Sequence, residues 1–409
     1  MYETGSIRDL RSLRFKLVAL GLSKGLLFWY AIEKLFESKI GLSPAQIVAV
    51  GVLAQGSKLI FELPTSIIAD RWSRRRILLA GQTSMLICCI IAGLSNTLLV
   101  YTAGVLFWSL SDALTSGVYE AYAYDTIASA GHKRQFQKIY TRMKSAELIS
   151  MATAGLVAGM LALLYSSRLS YFLSLVSVVG CGWYLLQLPD SRVQREITAD
   201  REWVSHLSRA FRTLMSTQLR WPICIYIAFM GFLSIWYEYY QLLGVDSRLS
   251  PGLFGSLISV LTIGMVVGSE IAHRVRSSRT ILSGIWVTLL LTHVVGLHFK
   301  GVAAAITCIF ITFIALMLLQ MYLEVYIHNV IDSHHRATIF SLASTLGYAC
   351  FFLLAAIFGI AIHHLGIREA LTLTSIPILL LGVVDILKGS PWAIKQPLPE
   401  LLTEDSREQ

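Results

Sequence analysis

The stretch Glu62-Leu-Pro-Thr-Ser-Ile-Ile-Ala-Asp-Arg-Trp-Ser-Arg-Arg-Arg76 gathers its charge at one end, where Asp70, Arg71, Arg74, Arg75 and Arg76 crowd together. Apolar runs flank that end, from Pro44 to Ala69 and from Ile77 to Leu94. Each is close to the roughly 20 residues that a helix needs to cross a hydrocarbon core. A short basic turn between two such runs marks a helical hairpin whose loop stays on the cytoplasmic side of a membrane.

The same alternation runs through the chain. Spans are expected near Phe15 to Phe36, Pro44 to Ala69, Ile77 to Leu94, Leu98 to Asp125, Ile139 to Tyr165 and Leu169 to Leu188. Six more follow near Trp221 to Leu243, Gly252 to His273, Thr280 to His298, Val302 to Asn329, Arg336 to His363 and Ile367 to Leu387. Composition agrees: 55% of the 409 residues are hydrophobic and 14% charged, where a soluble protein carries about 25% charge. The mean hydropathy is +0.64.

The formal net charge of +9 does not point to nucleic acid, because its distribution follows the loops. The even connections hold Arg71, Arg74, Arg75 and Arg76, then Lys133, Arg134 and Lys138, then Arg192 to Arg212, then Arg274, Arg276 and Arg279, then Arg336. The odd ones hold only Lys39, Arg168, Arg248, Lys300 and Arg368. This bias places both termini and the long linker in the cytoplasm. Arg8, Arg11, Arg14 and Lys16 precede a first span without an obvious small-x-small cleavage site, so that span reads as retained. The six cysteines all fall in apolar runs without metal-ligand spacing and read as packing residues.

Polar residues 189–220 form the one extended break, which divides the chain into an N-terminal six-helix bundle (1–188), a cytoplasmic linker (189–220), a C-terminal six-helix bundle (221–388) and a cytoplasmic tail (389–409). The halves echo each other. Phe28-Trp29-Tyr30 and Leu42-Ser43-Pro44 recur as Ile235-Trp236-Tyr237 and Leu249-Ser250-Pro251 at one shared displacement, and Glu120 and Tyr122 pair more weakly with Glu324 and Tyr326. Parallel repeats of this kind are expected of transporters whose halves rock about a central site.

The loop quoted above resembles the major facilitator motif Gly-x-x-x-Asp-Arg/Lys-x-Gly-Arg-Arg/Lys, with Asp70, Arg71, Arg74 and Arg75 on the pattern and Ser66 and Ser73 in place of its glycines. Ser116-Gly-Val-Tyr-Glu-Ala-Tyr-Ala-Tyr-Asp125 resembles the Ser-Gly-x-x-Glu-Ala-x-x-x-Asp stretch of a bacterial branch of that superfamily, which also carries Glu-x-Pro-Thr in span two. The resemblance implies an all-α integral membrane fold of twelve helices in two pseudo-symmetric bundles. It also implies a cytoplasmic gate, in which Asp70 meets the start of span eleven and Arg74 pairs with Asp125. A left-handed turn at Ser73 would strain any residue but glycine. The Gly-Pro signature of proton antiporters in span five is missing, and Gly155-x-x-x-Gly159 reads instead as a close-packing face.

Charge inside the spans marks the candidate site, because an ionisable group near the bilayer centre needs a partner, water or a function. Lys24, Lys58 and Asp112 sit near mid-depth. Ser109, Asp112, Ser116 and Tyr119 form one helical stripe; in the resembled fold spans one and four both line the cavity, which implies Asp112 and Lys24 as partners, either exchanging with substrate or proton or fixed as a structural ion pair. Lys58 and Glu62, four apart, are expected to neutralise each other. Glu120 and Glu324 are either proton carriers or gate residues, and Glu33 and Glu238 read as rim charges. Gln320, Glu324 and His328 share a face of span ten, while Trp236, Tyr237 and Tyr240 either line an aromatic cavity or form an interfacial belt.

No HExxH or Walker loop is present, so no enzyme, catalytic residue, metal or cofactor is expected. The pattern favours a monomeric secondary transporter in the bacterial cytoplasmic (inner) membrane. It would move a small or medium-sized amphipathic organic solute by proton-coupled efflux. Uptake of an anionic metabolite or siderophore, a lipid flippase and a non-transporting sensor are the alternatives.

Overall fold

The computed structural model describes residues 3–132, 135–189, 219–275, 277–299, 301–330 and 336–393. The linker and tail readings for 190–218 and 394–409 lie outside the described residues. The described chain is all helical, and twelve of its helices are long and apolar enough to cross a membrane. Helices are what a chain of this composition must form, because a bilayer offers no water to the backbone. Two compact units result: Met1–Ile197 with Ser250–Ser259, and Thr198–Leu249 with Val260–Gln409.

In the first unit two spans are interrupted. Span one consists of the helix Glu3–Gly25, a 3-10 turn Trp29–Ile32 and the helix Glu33–Lys39. The break exposes backbone amides, and Ser174 on span six takes them up: its hydroxyl accepts from the N–H of Phe28 at 2.9 Å and of Trp29 at 3.4 Å. Ser174 in turn donates to the Ser170 carbonyl at 2.7 Å. The repeat partner of this span is the continuous helix Arg220–Asp246. Thr374, 200 positions after Ser174, bonds only carbonyls of its own helix, those of Ala370 and Leu371. The matching tripeptides thus carry different backbones, and a hydroxyl on a neighbouring helix marks the difference.

Span four divides into Leu98–Thr115 and Val118–Ser129. Between them Gly117 has φ of 68°, a left-handed conformation that glycine adopts without the clash a side chain would bring. The Ser-Gly of the branch motif is therefore a helix break. Span two runs through Pro64, and the Thr65 hydroxyl donates to the Phe61 carbonyl at 2.8 Å beside it.

Gly155 and Gly159 of span five lie against the short helix Pro251–Phe254, which belongs to the same unit. A methyl group on Gly159 would stand 2.7 Å from the Gly252 carbonyl oxygen, so the two backbones touch. This is the close-packing face that the glycine spacing suggests.

Two of the odd-loop arginines, Arg168 and Arg368, are structural. Arg168, at the start of span six, donates to the Gly93 carbonyl and the Asn96 side chain and so ties the connection between spans three and four. Arg368, 200 positions later at the start of span twelve, ties the matching connection through the carbonyls of Leu297 and Phe299. Near the other end of span twelve, the buried Asp385 collects Trp221, Trp286, Trp392 and Ser390.

Candidate functional site

In the first unit, spans one and five approach backbone to backbone. A side chain on Gly25 would collide with the Glu147 carbonyl and the Ser150 hydroxyl, and one on Gly21 with the Met143 carbonyl. This contact sets Lys24, one residue before the break in span one, beside Glu147. The Lys24 ammonium lies 2.7 Å from Glu147 Oε1, and Lys144 lies 3.0 Å from Glu147 Oε2. Lys24 also sits 4.7 Å above the Tyr119 ring. Gln82 Nε2 donates to the Tyr119 hydroxyl at 2.6 Å, and Cys181 Sγ is 3.4 Å away on the other side, which fixes the ring. Valine at position 25 is expected to push the two spans apart and to lower the unfolding free energy by about 2 kcal/mol, the usual scale of overpacking, read in mixed detergent–SDS micelles.

A second ion pair stands apart from the first. Lys58 Nζ of span two is 2.7 Å from Asp112 Oδ2 of span four. Lys24 and Asp112 are therefore not partners, and Lys58 reaches across to another helix for its acid. The reason lies in the packing: span one rests on span five, while span four rests on span two, where the Ser109 hydroxyl donates to the Ala54 carbonyl at 2.9 Å. Ser109 is fully buried in that contact, and the helix break at Ser116-Gly117 turns Tyr119 away from the stripe. The four-residue polar stripe is thus not one face. Ser116 and Glu120 are exposed, and Glu62 is half-buried.

Glu33 is not a rim charge. Its carboxylate is mostly buried, 3.4 Å from Lys34, whose ammonium also lies 3.6 Å from the buried Glu37. Tyr101 stands between Glu33, at 3.5 Å, and Tyr171, at 3.2 Å.

At the gate motif, Arg74 forms an ion pair with Asp125 and donates to the Ala121 carbonyl at 2.6 Å. Arg75 donates instead to the Leu188 carbonyl at the end of span six, 3.1 Å away. The side chains of Asp70 and Arg71 lie outside the described residues. Ser73 needs no left-handed turn: its φ is −68°, and its hydroxyl caps the helix Arg74–Leu94 by accepting from the Arg76 amide. Serine is a good residue there because it supplies the cap that glycine lacks.

In the second unit, Glu324 of span ten accepts from Gln320 Nε2 at 2.9 Å and from the Tyr226 hydroxyl at 3.4 Å. Trp236 and Tyr240 are fully buried, so neither belongs to an interfacial belt. Trp236 packs edge-on against His293, 5.0 Å between centroids, and Tyr237 meets Phe313 at 6.3 Å. The side chain of His328 is outside the described residues. Among the described residues no cluster of His, Cys, Asp and Glu could hold a metal ion.

Sequence reasoning missed Glu147 and Asp385. The signal for Glu147 was an acid three residues after Lys144 inside an apolar span. For Asp385 it was an acid in span twelve with tryptophans near the ends of spans seven and twelve.

The sequence model of the Major Facilitator Superfamily matches residues 18–355. The chain belongs to that superfamily. It is a multi-pass membrane transporter, not an enzyme. The nucleoside transporter NupG superposes with a TM-score of 0.72 at 13% identity, over 92% of this chain and 98% of NupG. A bacterial homologue of the iron transporter ferroportin gives 0.71 at 16% identity, over 93% and 99%. The D-xylose-proton symporter gives 0.68 at 12%, over 93% and 98%. At such identities these major facilitators share the fold alone. No curated protein matches the chain in sequence.

Proposed function

We propose that this major facilitator is a secondary transporter that exports a small or medium-sized amphipathic organic solute across the bacterial cytoplasmic membrane, by alternating access and in exchange for protons. One observation carries the reading. The first unit holds two ion pairs within its spans, Lys24–Glu147 and Lys58–Asp112, whose side chains remain 15–39% exposed. Charge in a membrane span that is paired yet partly open suits a solute path better than a structural core. The aromatic ring under Lys24 gives that charge a cation–π partner.

Proton carriage is assigned to acids held by neutral or exchangeable partners. Asp112 has one lysine, and Glu324 has an amide and a phenol. The Arg74–Asp125 pair, with Asp70, Arg71 and Arg75, acts as the cytoplasmic latch. Both termini face the cytoplasm, by the positive-inside bias.

The test is flux in liposomes that contain a pH dye, with an imposed proton gradient and a panel of cationic, anionic and zwitterionic amphiphiles. Substrate-dependent proton flux is expected, falling to background in Asp112→Asn and persisting in Glu120→Gln. Solute exchange without proton movement would sink the coupling. No exchange of any amphiphile would sink the transport reading.

A further inference from the structure

Lys24, Glu147 and Lys144 place two ammonium groups on one carboxylate, which bridges them: Oε1 faces Lys24 and Oε2 faces Lys144. Among the described residues neither lysine has another acid, and Glu147 has no other base. The centre therefore carries one excess positive charge inside a membrane-spanning helix pair. An ammonium offers three N–H donors, and each lysine uses one of them on Glu147. The remaining donors are reachable, for Lys24 is 28% exposed and Lys144 44%, while Glu147 is 18% exposed.

The excess cation favours an incoming anion. The buried Tyr119 ring lies against Lys24 and is held through its hydroxyl by Gln82 and Cys181. Glu120, the next residue after Tyr119, is exposed and outside the clamp. Tyr140 of span five neighbours both Glu120 and Glu147. Glu147 itself displays the geometry that the two lysines accept, a carboxylate with one oxygen to each.

We propose that the Lys24–Glu147–Lys144 clamp is the seat of a carboxylate on the transported solute, and that Glu147 is its built-in competitor. The solute's carboxylate takes the bridging place between the lysines. This names the solute class for the site assigned above and rests on that assignment. Asp112, by contrast, holds one lysine, Lys58, and takes no part.

The sign of one substitution separates this role from a structural one. In purified full-length protein in detergent at constant ionic strength, benzoate and indole-3-acetate are expected to raise the thermal midpoint, and tetraphenylphosphonium is not. Glu147→Gln removes the competitor and should tighten benzoate binding about tenfold, whereas Lys24→Gln should weaken it by at least about tenfold. Lys144→Gln changes a side chain that is nearly half exposed, so it should fold normally and weaken binding too. Should Glu147→Gln fail to fold, Glu147→Asp shortens the competing carboxylate and should also tighten binding.

Weaker benzoate binding in the Glu147 variants would overturn the proposal. So would a midpoint raised only by tetraphenylphosphonium, or by no carboxylate. Binding is read without flux. Carboxylate binding with these signs in a protein that moves no solute would keep the seat and sink the transport reading. Flux of cations with no carboxylate response would do the reverse.

Discussion

Asp385→Ala is expected to lower the unfolding free energy by about 4 kcal/mol, the largest loss of any single substitution in the second unit. Asp385 is fully buried near the end of span twelve. Its Oδ1 accepts from the indoles of Trp221 at 2.8 Å and Trp392 at 2.9 Å, and its Oδ2 from Trp286 at 3.2 Å and the Ser390 hydroxyl at 2.9 Å. Four donors from three segments thus converge on one carboxylate. Removing it strands them at about 1–3 kcal/mol for each that water does not reach, and Trp286 and Trp392 are both buried.

A leucine would do no better, although Leu185, 200 positions earlier, fills a fully buried place in the first unit without any such partners. The indole donors and the acid complete one another, so replacing one side alone leaves the other unmet. Asp385→Asn would keep one good acceptor and should lose about half as much, whereas Ser390→Ala should cost about 1 kcal/mol. Equilibrium unfolding in mixed detergent–SDS micelles, followed by tryptophan fluorescence, reads all three. A loss under about 1 kcal/mol in Asp385→Ala would mean that the cage is decorative.

The twelve spans were legible because apolar length and loop charge are each written locally, in runs of roughly 20 residues. The Arg74–Asp125 contact could be expected because the motif carries both partners. What could not be read was which helix faces which. Lys24, Lys58 and Asp112 are all visible as buried charges, yet their partners depend on span one resting on span five at Gly21 and Gly25, while span four rests on span two at Ser109. Helix pairing of this kind is set by close approach over several residues, and a single sequence shows small residues without saying what they face. The breaks at Leu26–Phe28 and at Gly117 were hidden for a related reason. An interrupted helix needs a hydroxyl or a left-handed glycine to take up its free ends, and Ser174 lies far away in sequence.

Arg368 shows how a charge can be counted correctly and understood wrongly. As one of the few basic residues in an odd-numbered connection, it looks like an exception to the positive-inside bias. In the structure it is 7% exposed and binds four groups: Asp246 at 2.5 Å, the Leu297 carbonyl at 2.5 Å, the Phe299 carbonyl at 2.8 Å and the Ser247 hydroxyl at 2.8 Å. These come from the end of span seven and from the connection between spans nine and ten. A planar guanidinium can serve them all at once because its five donors point in fixed directions.

Arg368→Met should therefore lower the unfolding free energy by about 3 kcal/mol, as removing one partner of a buried pair does. Arg368→Lys should recover less than half of that, since one ammonium at the end of a flexible stem cannot reach four acceptors. The paired substitution in the first unit gives the comparison. Arg168 binds one carbonyl, that of Gly93, and the Asn96 side chain, and lies 5.7 Å from the centre of the Phe36 ring, so Arg168→Met should cost about 1 kcal/mol. If the two methionine variants lose equal stability, the internal repeat, and not the local hydrogen bonds, sets the worth of these arginines. If Arg368 loses the more, the second unit has acquired a tighter staple at this end of its helices than the first.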